Sequence, residues 1–461
     1  MELSKIIQSR YKTKTYEELA QRVSNFVGQT VDDKKIYEEL ILRKRFIPAG
    51  NTLLAGINPI RPNCVIFESI NENNYDELSK RAENLWRNRI GIGFDFSNAN
   101  DPVLILKRLS KLNASIDLGH RPQRGNMGVL RDDHPKIKEF IKCKSQTNKI
   151  YNFNLSIAIT KYDNEIMKMI SESAHITGDP GIIFLNKVQE ITGATKKDLK
   201  IIQNIIGKIE TVVPCGEQSM FANESCNLGS INLACPDYWN DKTFLETIFI
   251  DSVRKSVRFL DDVIDLCQIP DEKIREQNLN TRRIGLGIMG WADALKNINV
   301  KYGSEESFQL VDIVGKLFKQ YSHDESENLG KIKGIAPILK NTSLKRRNIQ
   351  ITCIAPTGGI TILVGNKGFG IEPLFTEAGD IPIQTHLDMQ SKWQKYVDNC
   401  ISKTVNMPNS SSVEDILEVW KISQEKQLKS VTIYRDGSHS DQPLQVGIKT
   451  KTDCPKGNCS L

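Results

Sequence analysis

The stretch Ile90-Gly91-Ile92-Gly93-Phe94-Asp95-Phe96-Ser97 alternates apolar residues with glycine and polar residues. Strict alternation indicates a β-strand, because successive side chains of a strand point to opposite faces of the sheet. The two glycines predict that another part of the backbone approaches this strand closely. The stretch Phe153-Asn154-Leu155-Ser156-Ile157-Ala158-Ile159-Thr160 repeats the alternation and predicts a second strand.

Helical patterns lie around these strands. Apolar residues share one face at positions 75–86 and again at 253–267, and Ser412 and Asp415 have the spacing of a capping box ahead of another helix. Shorter strands are predicted at 182–185, 349–354 and 431–434. Strands that alternate with helices predict an α/β fold with a mostly parallel sheet.

Composition and charge restrict the function classes. Of 461 residues, 39% are hydrophobic and 26% charged, as in ordinary globular proteins, and large α/β barrels reach this length as one unit. The 62 basic and 56 acidic residues give a net charge of +6 without a basic block, so nucleic-acid binding is not expected. No signal peptide and no apolar run long enough for a membrane span is visible, and we expect a cytoplasmic protein.

The cysteines form the second signal. Ten are present, and in a reducing compartment most are expected to be small buried apolar residues rather than disulfide partners. Cys454 and Cys459 stand apart, because they lie in a polar, unpatterned stretch that begins near residue 437 and predicts a flexible tail. Two cysteines without further ligands make a poor zinc site, so a thiol shuttle is the favoured interpretation and a metal site the alternative.

The densest chemical signal is Val213-Pro214-Cys215-Gly216-Glu217-Gln218, followed closely by the stretch at 225–232. A thiol and a carboxylate two residues apart, in a loop with proline and glycine, can present a reacting sulfur and a general base to one small target. Taken alone, this pattern is weak, and chance or a structural role is the favoured explanation.

Together with further segments in the same order, these residues resemble the catalytic subunits of ribonucleotide reductases. The resemblance runs from about Phe46 to the C-terminus. The matching segments are 63–65, 91–97, 125–131, 133–135, 179–184, 214–218, 226–233, 282–290, 356–361, 370–373 and 434–438. It implies a ten-stranded α/β barrel with a central finger loop, at 46–437, preceded by a helical lead at 1–45 and followed by the tail at 438–461.

The resemblance also implies roles for single residues. Cys215 corresponds to the thiyl radical site that removes the ribose 3′ hydrogen, and Glu217 to the base that takes the 3′-hydroxyl proton. Cys64 and Cys226 correspond to the pair that supplies two electrons as the 2′-hydroxyl leaves. The tail pair Cys454 and Cys459 would then reopen their disulfide by exchange and be reduced by thioredoxin or glutaredoxin.

Binding residues follow from the same resemblance. The substrate phosphate site is predicted at Pro356, Thr357, Gly358, Gly359, Ile360 and Thr361, a glycine-rich turn that opens a helix, with further contacts from Asn51 and Thr52. Effector binding is predicted in segments 68–76 and 142–151, at Asn71, Lys142 and Gln146. The resemblance therefore allows a deoxynucleoside triphosphate or ATP effector to bind at a homodimer interface. An ATP-cone domain is not expected.

Two departures from the family pattern matter. Val213 stands where the family normally has asparagine, and we expect another hydrogen-bond donor to take over its contact with the ribose. Only one tyrosine, Tyr434, is present where members that receive a radical from a metal-containing subunit carry two. The cysteine-bearing tail nevertheless favours a radical from a ferritin-like partner subunit, passed through Tyr434, with no cofactor or metal bound directly; adenosylcobalamin is the alternative.

Two other functions remain open from the sequence. Val213 allows an impaired homologue that acts as a binding or regulatory subunit, although such a protein would not need Glu217 or the cysteines. A cysteine hydrolase would need a histidine close to Cys215, and none lies beside the cysteine loop in sequence.

Overall fold

The computed structural model describes residues 3–117, 125–145, 150–374 and 376–438, in which strands and helices alternate along most of the chain. The strands are β1 Phe46–Pro48, β2 Cys64–Ile66, β3 Gly91–Asp95, β4 Asn126–Arg131, β5 Phe153–Ile159, β6 Gly181–Phe184, β7 Thr211–Val212, β8 Ser219–Met220, β9 Ser225–Asn232, β10 Trp239–Asn240, β11 Thr243–Phe244, β12 Ile284–Met289, β13 Thr404–Met407 and β14 Ser430–Arg435. The helices are α1 Leu3–Tyr11, α2 Tyr16–Val27, α3 Val31–Leu42, α4 Tyr75–Arg87, α5 Pro102–Ala114, α6 Ile137–Lys142, α7 Asn164–Thr177, α8 Leu185–Val188, α9 Lys196–Ile206, α10 Glu246–Leu266, α11 Glu272–Thr281, α12 Trp291–Asn297, α13 Glu305–Lys333, α14 Gly358–Val364, α15 Ile383–Gln394 and α16 Val413–Glu425.

The main sheet consists of two parallel halves. In the first half, β2, β3, β4, β5 and β6 pair in that order, each parallel to the next. In the second half, β9 pairs in parallel with β12, and β13 with β14. The halves join in antiparallel fashion, β9 against β2 and β14 against β6, while β1 pairs with the far end of β9.

Two isolated bridges close this sheet. Leu286 of β12 bridges in parallel to Thr352, and Ile354 bridges in parallel to Ile401, just before β13. The segment at 352–354 therefore takes the place of a strand between β12 and β13. The result is the ten-stranded α/β barrel that the sequence predicted.

The predicted strand at 349–354 was wrong as a continuous strand, and a side chain explains the difference. The carboxylate Oδ2 of Asp398 accepts hydrogen bonds from the backbone N–H groups of Ile351, at 3.0 Å, and Thr352, at 3.2 Å. Those donors are therefore not available for a β-ladder, and only isolated bridges remain. The other predicted strands appear as β3, β5, β6 and β14, and the capping box of Ser412 and Asp415 is confirmed at the start of α16.

The N-terminal helices pack directly on the barrel. The hydroxyl of Tyr37 in α3 donates to Asp262 of α10 at 2.6 Å, and α1 contacts α14. A boundary near residue 45 stays a prediction. In the part of the chain that the structure describes, no helix combines the length and the apolar character that a membrane span needs.

Candidate active site

A short hairpin of β7 and β8 runs inside the barrel along β3. A Cβ atom at Gly93 would collide with the carbonyl oxygen of Val212, and one at Gly91 would lie 2.9 Å from the carbonyl oxygen of Gly125 and 3.3 Å from Cγ of Pro214. The predicted close backbone approach at these two glycines is therefore present. Any larger residue would push the hairpin away from the barrel wall.

The tip of the hairpin, residues 213–218, presents Cys215. The backbone N–H of Val213 donates to the carbonyl of Gln218, and that of Gly216 donates to Val213, each at 2.9 Å. Gly216 has φ +76°, a conformation that residues other than glycine rarely adopt. This tight turn leaves the Cys215 side chain exposed at its apex.

Two strands hold the tip in place. Asn154 of β5 donates from Nδ2 to the carbonyl of Pro214 at 2.9 Å, and the Ser430 hydroxyl of β14 donates to the carbonyl of Gly216 at 3.5 Å. Both bonds go to backbone atoms of the loop, so they fix its path without depending on its side chains.

Glu217 lies beside Cys215 but is buried, with 2% of its surface exposed. Its Oε2 is a buried atom without a hydrogen-bond partner among the described residues. Burial, which disfavours the charged form, raises the pKa of Glu217 to about 7. A carboxyl group with this pKa can accept a proton near neutral pH and release it again.

Cys64 and Cys226 lie directly opposite each other on the antiparallel strands β2 and β9. Both belong to an apolar cluster inside the barrel that also includes Val213. A Cβ atom at Gly91 would lie 3.3 Å from both Cys64 Sγ and Pro214 Cγ, which places Cys64 next to the hairpin tip. The structure therefore brings together Cys64, Cys226, Glu217 and the loop of Cys215.

A third interior thiol, Cys353, was missed by the sequence interpretation. It is fully buried in the same apolar cluster as Cys226. Burial raises the pKa of the Cys353 thiol well above its ordinary value, and the nearby charge of Glu217 adds to this effect. The sequence carried no signal for it, because a single cysteine in an apolar run is most often a core residue.

The glycine-rich turn at 356–361 begins helix α14, as predicted. Thr357 has φ +60°, and its hydroxyl accepts from the backbone N–H of Gly370 at 2.9 Å and lies 2.9 Å from the hydroxyl of Thr361. A Cβ atom at Gly358 would meet no heavy atom within 4 Å, so space is open beside the turn.

Arg10 of α1 lies against this turn and was also missed. A Cβ atom at Gly359 would lie 3.1 Å from Nη1 of Arg10. The two residues that the sequence placed here, Asn51 and Thr52, follow β1: Asn51 donates from Nδ2 to the carbonyl of Pro62 at 3.0 Å, and Thr52 is buried. A lone arginine in a charged N-terminal helix has no local pattern that reveals it.

Comparison with known proteins decides the family. Residues 162–351 and 370–434, more than half of the chain, match the family model "Ribonucleotide reductase, barrel domain". This chain belongs to the ribonucleotide reductase family. Its fold is similar to that of the class Id ribonucleotide reductase alpha subunit of Actinobacillus ureae, with a TM-score of 0.78 and 16% identity over 94% of this chain and 96% of that one.

Two relatives are more similar in sequence, and both are named vitamin B12-dependent ribonucleoside-diphosphate reductases. The one from Thermoplasma acidophilum is 30% identical over 89% of this chain, and the one from Mycobacterium tuberculosis (strain CDC 1551) is 28% identical over 88%. This chain spans 66% of the first relative and 72% of the second.

These names correct one sequence prediction. A ribonucleotide reductase without a directly bound cofactor, served by a ferritin-like subunit, was favoured on the evidence of the cysteine-bearing tail. That preference was wrong, because the relatives named above depend on vitamin B12. The tail cysteines bear on the prediction of how a reductase is re-reduced, and they carry no information on the source of its radical.

Tyr434 lies on the same strand, β14, as Ser430, which contacts the hairpin tip. Because side chains alternate along a strand, Ser430, Thr432 and Tyr434 share one face. Thr432 is exposed and Tyr434 is partly buried, and burial raises the pKa of the Tyr434 hydroxyl. Its role in radical transfer in this ribonucleotide reductase stays a prediction.

The described structure places two of the three predicted effector residues, Asn71 and Lys142, on different elements. Asn71 stabilises the turn before α4, where its Oδ1 accepts a hydrogen bond from the backbone N–H of Asn73 at 2.9 Å. Lys142 ends α6 and is exposed. Gln146, Cys454 and Cys459 lie outside the described residues. The effector and shuttle sites therefore stay predictions.

Proposed function

We propose that this chain is the catalytic subunit of a ribonucleotide reductase that converts ribonucleoside diphosphates to 2′-deoxyribonucleoside diphosphates. The observation that carries the proposal is the constellation at the hairpin tip: the exposed Cys215, the buried Glu217 and the opposed thiols of Cys64 and Cys226. A non-catalytic binding subunit would have no use for this combination. Diphosphates are proposed because the relatives are named for them.

The chemistry assigns one task to each residue. The Cys215 thiyl radical removes the hydrogen atom from C3′ of the ribose, so that an S–H bond forms as the C–H bond breaks. Glu217 accepts the proton of the 3′-hydroxyl. Cys64 and Cys226 provide two electrons and two protons: one proton leaves with the 2′-hydroxyl as water, the other proton and the two electrons form the new C2′–H bond, and the two sulfurs form a disulfide. Cys215 then returns its hydrogen atom to C3′, and Glu217 returns its proton to the 3′-oxygen.

The substrate phosphates are proposed to bind at the turn from Pro356 to Thr361. The first backbone N–H groups of a helix have no partner within the helix and favour an anion. The open space at Gly358 admits the phosphate, and the Arg10 guanidinium supplies positive charge. Asn51 and Thr52 are proposed to contact the substrate from the end of β1.

Adenosylcobalamin is the proposed radical source, and the exposed face of the hairpin tip fits a large cofactor. The Cys215 side chain is exposed, and a Cβ atom at Gly216 would meet no heavy atom within 4 Å. Thr432 and Tyr434 share the strand face that meets this tip and would flank the cofactor. When bound, the cofactor would supply the radical that removes the hydrogen atom of the Cys215 thiol.

Further partners follow from the proposed reaction. The disulfide between Cys64 and Cys226 must be reopened for each turnover, and exchange with Cys454 and Cys459 of the tail would do this, followed by thioredoxin or glutaredoxin. A homodimer with a deoxynucleoside triphosphate effector near Asn71, Lys142 and Gln146 is proposed as well.

Reduction of cytidine diphosphate and cytidine triphosphate, with dithiothreitol as reductant, tests the proposal. Each assay is run without cofactor, with adenosylcobalamin, and with a ferritin-like subunit from the same genome. We expect deoxycytidine diphosphate to form only with adenosylcobalamin. Formation of product only with the protein subunit would refute the cofactor assignment. Absence of product under all conditions, with nucleotide binding retained, would favour a binding subunit.

A further inference from the structure

The side chain of Asn399 holds the base of the hairpin as a strand would. Its Oδ1 accepts from the backbone N–H of Ser219 at 2.9 Å, and its Nδ2 donates to the carbonyl of the same residue at 2.9 Å. Nδ2 also lies 3.2 Å from Oε1 of Gln218 and 2.9 Å from Oε1 of Gln350, both acceptors. Asn399 is 2% exposed, so these bonds do not compete with water.

This clamp matters because the hairpin has little structure of its own. Its ladder consists of two residue pairs, Thr211 with Met220 and Val212 with Ser219. The contacts of Asn154 and Ser430 hold only the tip. Ser219 is the first ladder residue after the tip and lies two positions from Glu217, so its orientation sets the direction in which the tip projects from the ladder.

The clamp is itself fixed by a buried ion pair. The guanidinium of Arg283 donates to Gln350 Oε1, which also accepts from Asn399. Arg283 pairs with Glu224 at 2.8 Å, and both side chains are fully buried. Glu224 in turn accepts from the backbone N–H of Phe221 at 2.7 Å. The return strand of the hairpin is therefore tied to the barrel from Ser219 to Glu224.

We infer that Asn399 is a positioning residue that sets the orientation of the loop carrying Cys215 and Glu217. The inference rests on the proposed function, because its effect is expressed through those two residues. It acts through the backbone of Ser219 and the side chain of Gln218. A small displacement of reacting groups can cost about a hundredfold in rate without weakening substrate binding.

Two variants of Asn399 test the inference in the holoenzyme with adenosylcobalamin and dithiothreitol. Asn399→Asp keeps the acceptor for Ser219 but places an oxygen against three acceptor oxygens, and Asn399→Ser removes the clamp with a smaller side chain. We expect kcat for cytidine diphosphate to fall about 10- to 100-fold while KM stays nearly unchanged. The acidic limb of the kcat–pH profile of Asn399→Ser should shift to lower pH, because Glu217 gains access to water.

Gln394→Leu is the matched control. Gln394 donates from Nε2 to the backbone carbonyl of Asn399 at 2.8 Å, so its loss weakens the same segment but leaves the side-chain clamp intact. We expect a similar drop in Tm and an unchanged kcat. An unchanged kcat in Asn399→Ser, or an equal loss of kcat in Gln394→Leu, would overturn the inference. A wild-type enzyme that binds but does not reduce cytidine diphosphate would overturn the proposed function instead, and the inference with it.

Discussion

Cys64 and Cys226 face each other across the antiparallel strands β2 and β9. Directly opposed residues of an antiparallel pair have Cα atoms about 4.5–5.5 Å apart, and disulfides need about 4.4–6.8 Å, so the bond can close without backbone movement. The same backbone geometry of the barrel wall therefore accommodates both the reduced and the oxidised state of this pair.

We predict that one turnover without external reductant produces a disulfide between Cys64 and Cys226. In a variant with Cys454→Ser and Cys459→Ser, which cannot pass the disulfide to the tail, peptide mapping after incubation with adenosylcobalamin and cytidine diphosphate should find the linked peptides, with about one product molecule per active site. Cys64→Ser and Cys226→Ser should each abolish repeated turnover. Cys143→Ala is the control, because Cys143 is buried at the end of α6, outside the interior cluster. A linked pair that excludes either Cys64 or Cys226 would contradict the assignment.

Glu217 should give the reaction a pH dependence near neutrality. Its pKa is raised to about 7 by burial, and only the deprotonated form accepts the 3′-hydroxyl proton. We therefore predict that kcat rises as the pH increases through about 7, and that Glu217→Gln loses most of the activity at every pH. A rate that is independent of pH between 6 and 8 in the wild-type enzyme would argue against Glu217 as the base.

The raised pKa of Glu217 also predicts that stability falls as the pH rises, whereas kcat rises. The pKa of Glu217 in the folded state, about 7, lies above the ordinary value of 4.5, so the folded state holds this proton more tightly than the unfolded state. Stability is therefore lost as the pH rises from about 4.5 through 7. Glu217→Gln removes this loss and should be more stable than wild type at pH 8, by on the order of a few kcal/mol. Denaturant unfolding at pH 6 and pH 8 measures it, and a difference that does not grow with pH would contradict the prediction.

The sequence predicted the parts of this site that are continuous along the chain. The segment around Cys215 and Glu217 carries its chemistry within a few residues, and the alternation at 90–97 revealed the strand against which the hairpin packs. Arg10, Cys353 and Asn399 could not be found in this way, because each comes from a distant segment and has no distinctive local pattern. Their importance arises only when the barrel closes and brings their side chains to the hairpin and to the turn before α14.

The contact between Arg10 and the turn at Gly359 predicts a role in phosphate binding. Arg10→Gln should raise KM for cytidine diphosphate about tenfold with little change in kcat, because a charge-assisted hydrogen bond contributes about 1.5–3 kcal/mol. Lys12→Gln is the matched control, since it removes the same charge from an exposed residue just after α1. Equal effects of the two substitutions would indicate a general electrostatic contribution and not a specific contact.

Substitutions of Val213 test whether a valine at this position, where the family normally has asparagine, impairs the enzyme. Its side chain is fully buried in the apolar cluster with Ile66, Met220 and Leu228, so an asparagine there would place an amide among apolar groups. We predict that Val213→Asn lowers the free energy of unfolding by about 1–3 kcal/mol. We also predict that it does not raise kcat, because other hydrogen-bond donors contact the ribose in this enzyme. Val213→Thr, which replaces one methyl group with a hydroxyl at nearly the same volume, is the control and should lower the free energy of unfolding by less. If instead the wild-type chain is inactive and Val213→Asn alone reduces cytidine diphosphate, the natural valine impairs the active site.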